Sequence, residues 1–319
     1  MVWKGVNYLH IPTFDGVGCA ILLKNFYENI DIEYCNYDDV NEKVENFLCE
    51  DYINYDKIFI TDISVNEKVA EIIDELTCIK EFVLLDHHKT ADWLNKYEWA
   101  KVEENDRALN RKTSGTMMLH RYLYDNKLKV LTGNILEFTI LVNDYDTWHW
   151  NKIGDINPKK LNDLYYIYGR DTFIDKVLTY FISDKIDIFT STDNMLLELK
   201  QKDIDSYVEK KNKLIIRNKL FGYNVGVVFC ENYISEVGNK LCSLNPDIDF
   251  MALINMDYSI SYRTIKGNVD VSEIAKKFGG GGHRSSGGNP LQDSVRLNVV
   301  EYLFGKTNEL IVWTQNTKK

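Results

Sequence analysis

The stretch FVLLDHHKT, Phe82 to Thr90, runs four apolar residues straight into an acid and two adjacent imidazoles. A short apolar run closed by polar residues reads as a strand buried on both faces, the kind that lies under helices in a parallel sheet. Two of the chain's six histidines stand side by side at its end. Histidine is the commonest metal ligand, so the stretch predicts a chemically active strand end.

The same alternation extends outward. VNYLHI (6–11), DIEYCNY (31–37) and KIFITDI (57–63) read as strands, and GVGCAILLKNFY (16–27), VNEKVENFLC (40–49) and NEKVAEIIDEL (66–76) as the helices between and after them. Strands alternating with helices predict an α/β fold around a parallel sheet. Residues 89–113 are polar and read as loop, after which SGTMMLHRYLY (114–124) and NILEFTILVNDYDTW (134–148) restore helical patterning.

The charge-dense stretch 190–213 opens with cap-type residues and predicts an exposed helix joining two domains. Beyond it, YNVGVVFC (223–230), DFMALINM (249–256) and YSISYRT (258–264) read as strands, and 234–244 and 270–279 as helices of a smaller α/β domain. The expected organisation is a metal-binding domain over 1–189, a helical linker over 190–215 and a substrate-binding domain over 216–319. A length of 319 residues with 45% hydrophobic content agrees with two domains.

A net charge of −10 argues against a basic surface that neutralises many phosphates of long duplex nucleic acid, but leaves a small phosphorylated substrate open. The six cysteines form no C-x-x-C pair, no cleavable apolar leader precedes the first strand, and no window reaches the ~18 apolar residues that span a bilayer. A cytoplasmic protein without membrane attachment is expected.

Four acids occupy one kind of place. Asp15 follows the first strand, Asp62 ends KIFITD, Asp86 ends FVLLD, and Asp144 ends the apolar run ILVND. Each alone reads as a turn or cap acid. Together they would share the carboxyl edge of a parallel sheet, where open α/β folds bind ligands. Clustered carboxylates raise one another's pKa unless a cation neutralises them, so beside two histidines they predict a divalent metal. Mixed oxygen and nitrogen donors suit Mn²⁺, with Mg²⁺ or Co²⁺ as alternatives. Farther on, GGGGHR (279–284) offers successive backbone N–H groups beside His283 and Arg284, a candidate anion nest.

These motifs, DHH at 86–88, Asp15-Gly16, Asp62, NDYDTW at 143–148 and GGGGH at 279–283, together resemble the DHH–DHHA1 phosphoesterases over almost the whole chain, to about residue 305. Length and layout are most similar to the oligoribonuclease branch. The resemblance implies that Asp15, Asp62, His87 and either Asp144 or Asp146 ligate one ion, with Asp62 bridging to a second. It implies that Asp86 orients the histidines, that His88 faces the scissile phosphate, and that Arg263 with Gly280, Gly281, Gly282, His283 and Arg284 holds the substrate across a cleft between domains.

The implied activity is hydrolysis of short single-stranded oligonucleotides to mononucleotides. A 3′-phosphoadenosine 5′-phosphate phosphatase and a linear-dinucleotide hydrolase would use the same site. One position departs from the pattern: Thr13 stands where the family has an aspartate, and His10, a further candidate ligand, lies one residue out of register. A nucleotide-binding regulator that has lost catalysis is the reading this departure would favour.

Overall fold

The computed structural model describes residues 5–9, 13–106, 110–126, 133–183, 187–257 and 259–305, the first of these as backbone only. His10 lies outside the described residues. The chain divides into two compact units, Met1–Leu197 and Glu198–Lys319.

The first unit begins β1 (Gly5–Leu9), α1 (Phe14–Phe26), β2 (Ile30–Tyr34), α2 (Val40–Glu50), β3 (Lys57–Thr61), α3 (Glu67–Leu76), β4 (Glu81–Asp86) and β5 (Ala100–Val102). The five strands form one parallel sheet in the order β2-β1-β3-β4-β5. Alternation along the strands divides the core in two. Phe59, Val83 and Leu85 face α1 and a later helical layer, whereas Ile58, Ile60, Phe82 and Leu84 face α2 and α3. The chain reverses direction across the sheet at β1, so the ends of β1 and β3 flank the switch point where ligands bind in such sheets.

The polar stretch 89–113 is more than the loop its composition predicts. It carries β5 and the small hairpin β6 (Asn105–Asp106) and β7 (Arg111–Lys112). An edge strand of three residues, only one of them fully buried, has too little apolar content to show in the sequence. The rest of the unit is helical: α4 (Gly115–Asp125), α5 (Gly133–Asp146), α6 (His149–Ile153), α7 (Asn157–Tyr168) and α8 (Arg170–Phe181). The sequence pattern assigns nothing to 149–189, yet α7 and α8 bury Leu161, Leu164, Phe173 and Val177 against α1 and α5.

Helix α9 (Ser191–Asn212) carries the chain from one unit to the other, placing Leu197 in the first core and Ile204 and Val208 in a core of the second. The second unit then runs β8 (Ile216–Leu220), β9 (Tyr223–Phe229), α10 (Ile234–Leu244), β10 (Phe250–Asn255), β11 (Ser259–Arg263), α11 (Val271–Lys276), β12 (Gly281–His283), β13 (Ser286–Pro290) and α12 (Asp293–Phe304). Its sheet has the order β12-β13-β11-β10-β9-β8, with β9 and β10 parallel and every other pair antiparallel. Helix α10 packs on one face and α11 on the other. No helix among the described residues is long and apolar enough to cross a membrane.

The start of α9 is fastened by one buried charge. The Asp193 carboxylate accepts from Tyr168 Oη at 2.6 Å, and from Lys176 Nζ, Thr190 N and Thr190 Oγ1 at 2.7 Å each. Burial opposes its charge, but these donors outweigh that and hold its pKa below the usual carboxylate value. The stability it contributes is therefore present at neutral pH and lost as pH falls into the acid range. Asp193→Ala strands the Lys176 ammonium and is expected to cost about 3–5 kcal/mol in urea unfolding at pH 7. The loss should shrink at acid pH, where the native carboxylate would be protonated.

Candidate metal centre

Asp15 lies in the first turn of α1, and its carboxylate is received by the N-terminus of α4. Gly115 N donates to Oδ2 at 2.7 Å and Thr116 N to Oδ1 at 2.9 Å, while Thr116 Oγ1 donates to the Asp15 carbonyl at 2.8 Å. Unsatisfied amides at a helix start favour an anion there, and these bonds fix the Asp15 carboxylate in place. Gly115 admits this approach, since a Cβ on it would meet Asp62 Cβ at 2.8 Å and Asp62 Cα at 3.1 Å.

Asp62 follows β3 with a left-handed backbone (φ 58°), which aspartate tolerates better than most residues. Its amide donates to Leu85 O at 2.9 Å, continuing the ladder with β4. His87 follows β4, and its Nε2 lies 3.1 Å from Asp62 Oδ1, 3.7 Å from Asp15 Oδ2 and 3.7 Å from Asp146 Oδ2. Three carboxylates thus surround one imidazole nitrogen. Asp146 is the open side of the group, with 31% of its side chain exposed.

Asp86 has a different task. Its Oδ1 accepts from His87 N at 2.8 Å and from His88 Nδ1 at 2.6 Å, and Ser64 Oγ donates to Oδ2. Burial works against its charge, but the His88 contacts and Ser64 prevail and keep its pKa below normal. With Nδ1 committed to Asp86, His88 presents Nε2, which lies 3.3 Å from the Tyr37 hydroxyl.

The structure corrects two expectations. Of the four acids read as strand ends, only Asp62 and Asp86 occupy such positions; Asp15 sits on α1, and Asp144 on α5. Residues two apart on a helix point about 200° from each other, so of the alternatives Asp144 and Asp146 only one can face His87. Asp144 is buried in an ion pair with Arg111 Nη1 at 2.9 Å, and Asp146 is the one turned to His87.

The electrostatics suit a cation. Burial and the charge of Asp15 raise the Asp62 pKa well above normal and push Asp146 up to about 6. Burial opposes a charged His87, but the Asp62 hydrogen bond and the surrounding carboxylates push it up to about 10. The imidazolium supplies the positive charge that the carboxylates require. Two donor groups, Asp15–His87–Asp146 and Asp62–Asp86–His87–His88, each bring their ligand atoms within 4.8 Å of one another. Oxygen and nitrogen donors in this number fit one or two hard or borderline divalent ions. Thr13 caps α1 by accepting from Gly16 N at 3.0 Å, and its Oγ1 donates to Asp62 Oδ2 at 3.2 Å. A hydroxyl thus stands beside the Asp62 carboxylate, where the family resemblance leads one to expect an acid.

In the second unit, Arg263 is paired across the sheet with Ser286, and Ser286 with His283. Directly opposed residues project from one face about 5 Å apart, so the three side chains form a row. The Arg263 guanidinium donates to Tyr262 O at 2.9 Å and Ser235 Oγ at 3.1 Å. Burial lowers its pKa, against the opposing influence of Cys242 and of the Glu236 carboxylate nearby. A half-buried guanidinium held by neutral acceptors is a ready anion contact.

The glycine run differs from the expected nest. Gly281 and Gly282 belong to β12, and a Cβ on Gly280 would lie 2.0 Å from Gly288 O, one on Gly282 2.5 Å from Gly287 Cα. The glycines admit close strand packing, and Arg284 donates to Gly267 O at 2.7 and 3.1 Å. His283 is the residue of this stretch that joins the Arg263 row. Sequence reading missed Ser286, Ser64, Gly115 and Tyr37. Gly115 alone carried a signal, the Ser-Gly at a helix start.

No family model matches the sequence. The chain is 37% identical to the oligoribonuclease NrnB of Bacillus subtilis over 295 residues, covering 90% of this chain and 73% of that protein. It is 22% identical to the 3′,5′-cyclic-nucleotide phosphodiesterase of Helicobacter pylori, over 90% of this chain and 92% of that one. Its fold is shared with a pGpG-specific phosphodiesterase from Vibrio cholerae, with a TM-score of 0.52 at 14% identity, over 94% of this chain and 97% of that one.

Because His87 must be neutral to ligate, Mn²⁺ binding to the metal-free protein at pH 8 should release about one proton. Calorimetry in buffers of different ionisation enthalpy measures this. Apparent affinity should weaken as pH falls, and His87→Ala should abolish the release.

Proposed function

Because the chain belongs to the DHH–DHHA1 phosphoesterase family, in the branch of the B. subtilis oligoribonuclease, we propose that it is a divalent-metal-dependent phosphodiesterase that hydrolyses short single-stranded oligonucleotides to mononucleotides. The observation that carries this reading is the ring of Asp15, Asp62 and Asp146 around His87 Nε2.

Asp15, Asp62, His87 and Asp146 would hold Mn²⁺, or Mg²⁺ or Co²⁺ in its place, and Asp62 would also serve a second ion. When bound, such ions acidify a water and offset charge on the phosphoryl oxygens. The α4 N-terminus fixes Asp15, so that one ligand is in place before metal or substrate arrives. Asp86 fixes the His88 ring through Nδ1 and directs Nε2 to the scissile phosphate. Thr13 would leave a second ion one carboxylate fewer and so more weakly held. Arg263, Ser286 and His283 grip a substrate phosphate as a row of donors on rigid strands. The acidic net charge fits a short substrate better than a long polymer, and the free thiols fit a cytoplasmic setting.

Incubation with Mn²⁺ and single-stranded oligonucleotides of two to five nucleotides should yield mononucleotides, read by chromatography. Consumption of only the 3′,5′-bisphosphonucleoside would instead indicate the phosphatase. Nucleotide binding without turnover at saturating Mn²⁺ would indicate the regulator. Asp62→Ala should abolish turnover by a factor of about 10³ or more, since it serves both ions. Arg263→Ala should raise KM with a smaller effect on kcat, and an unchanged KM would count against its role.

A further inference from the structure

Tyr37 has no role in the account so far, although its hydroxyl is a recorded partner of His88 Nε2. It occupies the turn between β2 and α2, at the carboxyl end of the sheet where the metal ligands gather. Its hydroxyl lies 3.3 Å from His88 Nε2, and the two rings meet edge to face with centroids 6.1 Å apart. Burial first, and then the charges of Asp62, Asp86 and Asp146, raise the pKa of its phenol.

The turn is built to hold it there. Asn36 N donates to Asp39 Oδ1 at 2.6 Å, Asp39 N and Val40 N both return to Asn36 O, and the preceding Cys35 is buried. Lys43 clamps the same turn, donating to Tyr34 O at 2.8 Å and pairing with Asp39 at 3.3 Å. The ring itself remains 55% exposed, so packing does not account for a phenol at this position.

We infer that Tyr37 is a substrate-contacting residue whose hydroxyl donates to the same phosphoryl oxygen that His88 Nε2 addresses. The inference rests on the phosphodiesterase reading above. Two groups 3.3 Å apart can both reach one oxygen at ordinary hydrogen-bond distance, because the three atoms then form a nearly equilateral triangle. In the substrate-free protein the hydroxyl and Nε2 satisfy each other. An arriving phosphate takes the third corner, and the phenolic O–H turns to it without a change in the turn. The phenol keeps its proton throughout, so no proton transfer is involved. Preorganised donors aimed at developing charge act chiefly on kcat.

The test uses the full chain with Mn²⁺ and a dinucleotide. Tyr37→Phe, which keeps the ring, should lower kcat about tenfold or more while KM stays within about threefold and the melting temperature is unchanged. Sulfur in place of one non-bridging oxygen removes the same acceptor. The rate penalty of that diastereomer should shrink in Tyr37→Phe, because one hydrogen bond cannot be lost twice. A variant with kcat/KM within twofold of the parent, or a sulfur penalty unchanged for both diastereomers, overturns the inference while leaving the phosphodiesterase reading intact. A parent protein that leaves the dinucleotide uncleaved with every divalent ion overturns both.

Discussion

Three carboxylates around one imidazole nitrogen is an arrangement that folding alone disfavours. Like charges at such separations repel strongly where water is scarce, and two of the three acids respond with raised pKa values. A charged His87 relieves the repulsion, and a divalent cation would take the place of that proton. The rest of the first unit can be understood as the scaffold that keeps these groups from separating.

That scaffold works through backbone amides and strand ends. The start of α4 binds Asp15 through two N–H groups, and the ladder between β3 and β4 fixes the backbone of Asp62. Asp146 ends α5, where the helix dipole opposes negative charge, so it too gains from a nearby cation. Asp86 is satisfied by His88, the backbone and Ser64, and so remains ionised without metal. Neighbouring acids therefore differ in role because their hydrogen-bond partners differ.

The second unit presents the opposite charge, a half-buried cation. Arg263 leans on a carbonyl and a hydroxyl, which orient it without neutralising it. Placing it in register with Ser286 and His283 requires a sheet in which three strands stay closely paired, and the glycines of β12 and β13 permit that closeness. The glycine run thus serves the close strand packing that sets Arg263, Ser286 and His283 in one row.

Sequence alone determined much of this. Apolar runs buried on both faces identified β3 and β4, and the acids and histidines that close them were legible because a polar cluster after such a run has few structural uses. The glycine run and DHH were legible as motifs because their composition is costly without a reason. What the tertiary structure decided is which neighbours those residues meet. Whether Asp144 or Asp146 faces the site depends on the rotation of α5 and on Arg111, more than thirty positions earlier. The contacts of Tyr37, Ser286 and Gly115 depend on turns and registers between distant segments. Composition and periodicity report how a residue sits relative to its own helix or strand; they carry no information about the partner brought to it from elsewhere in the chain.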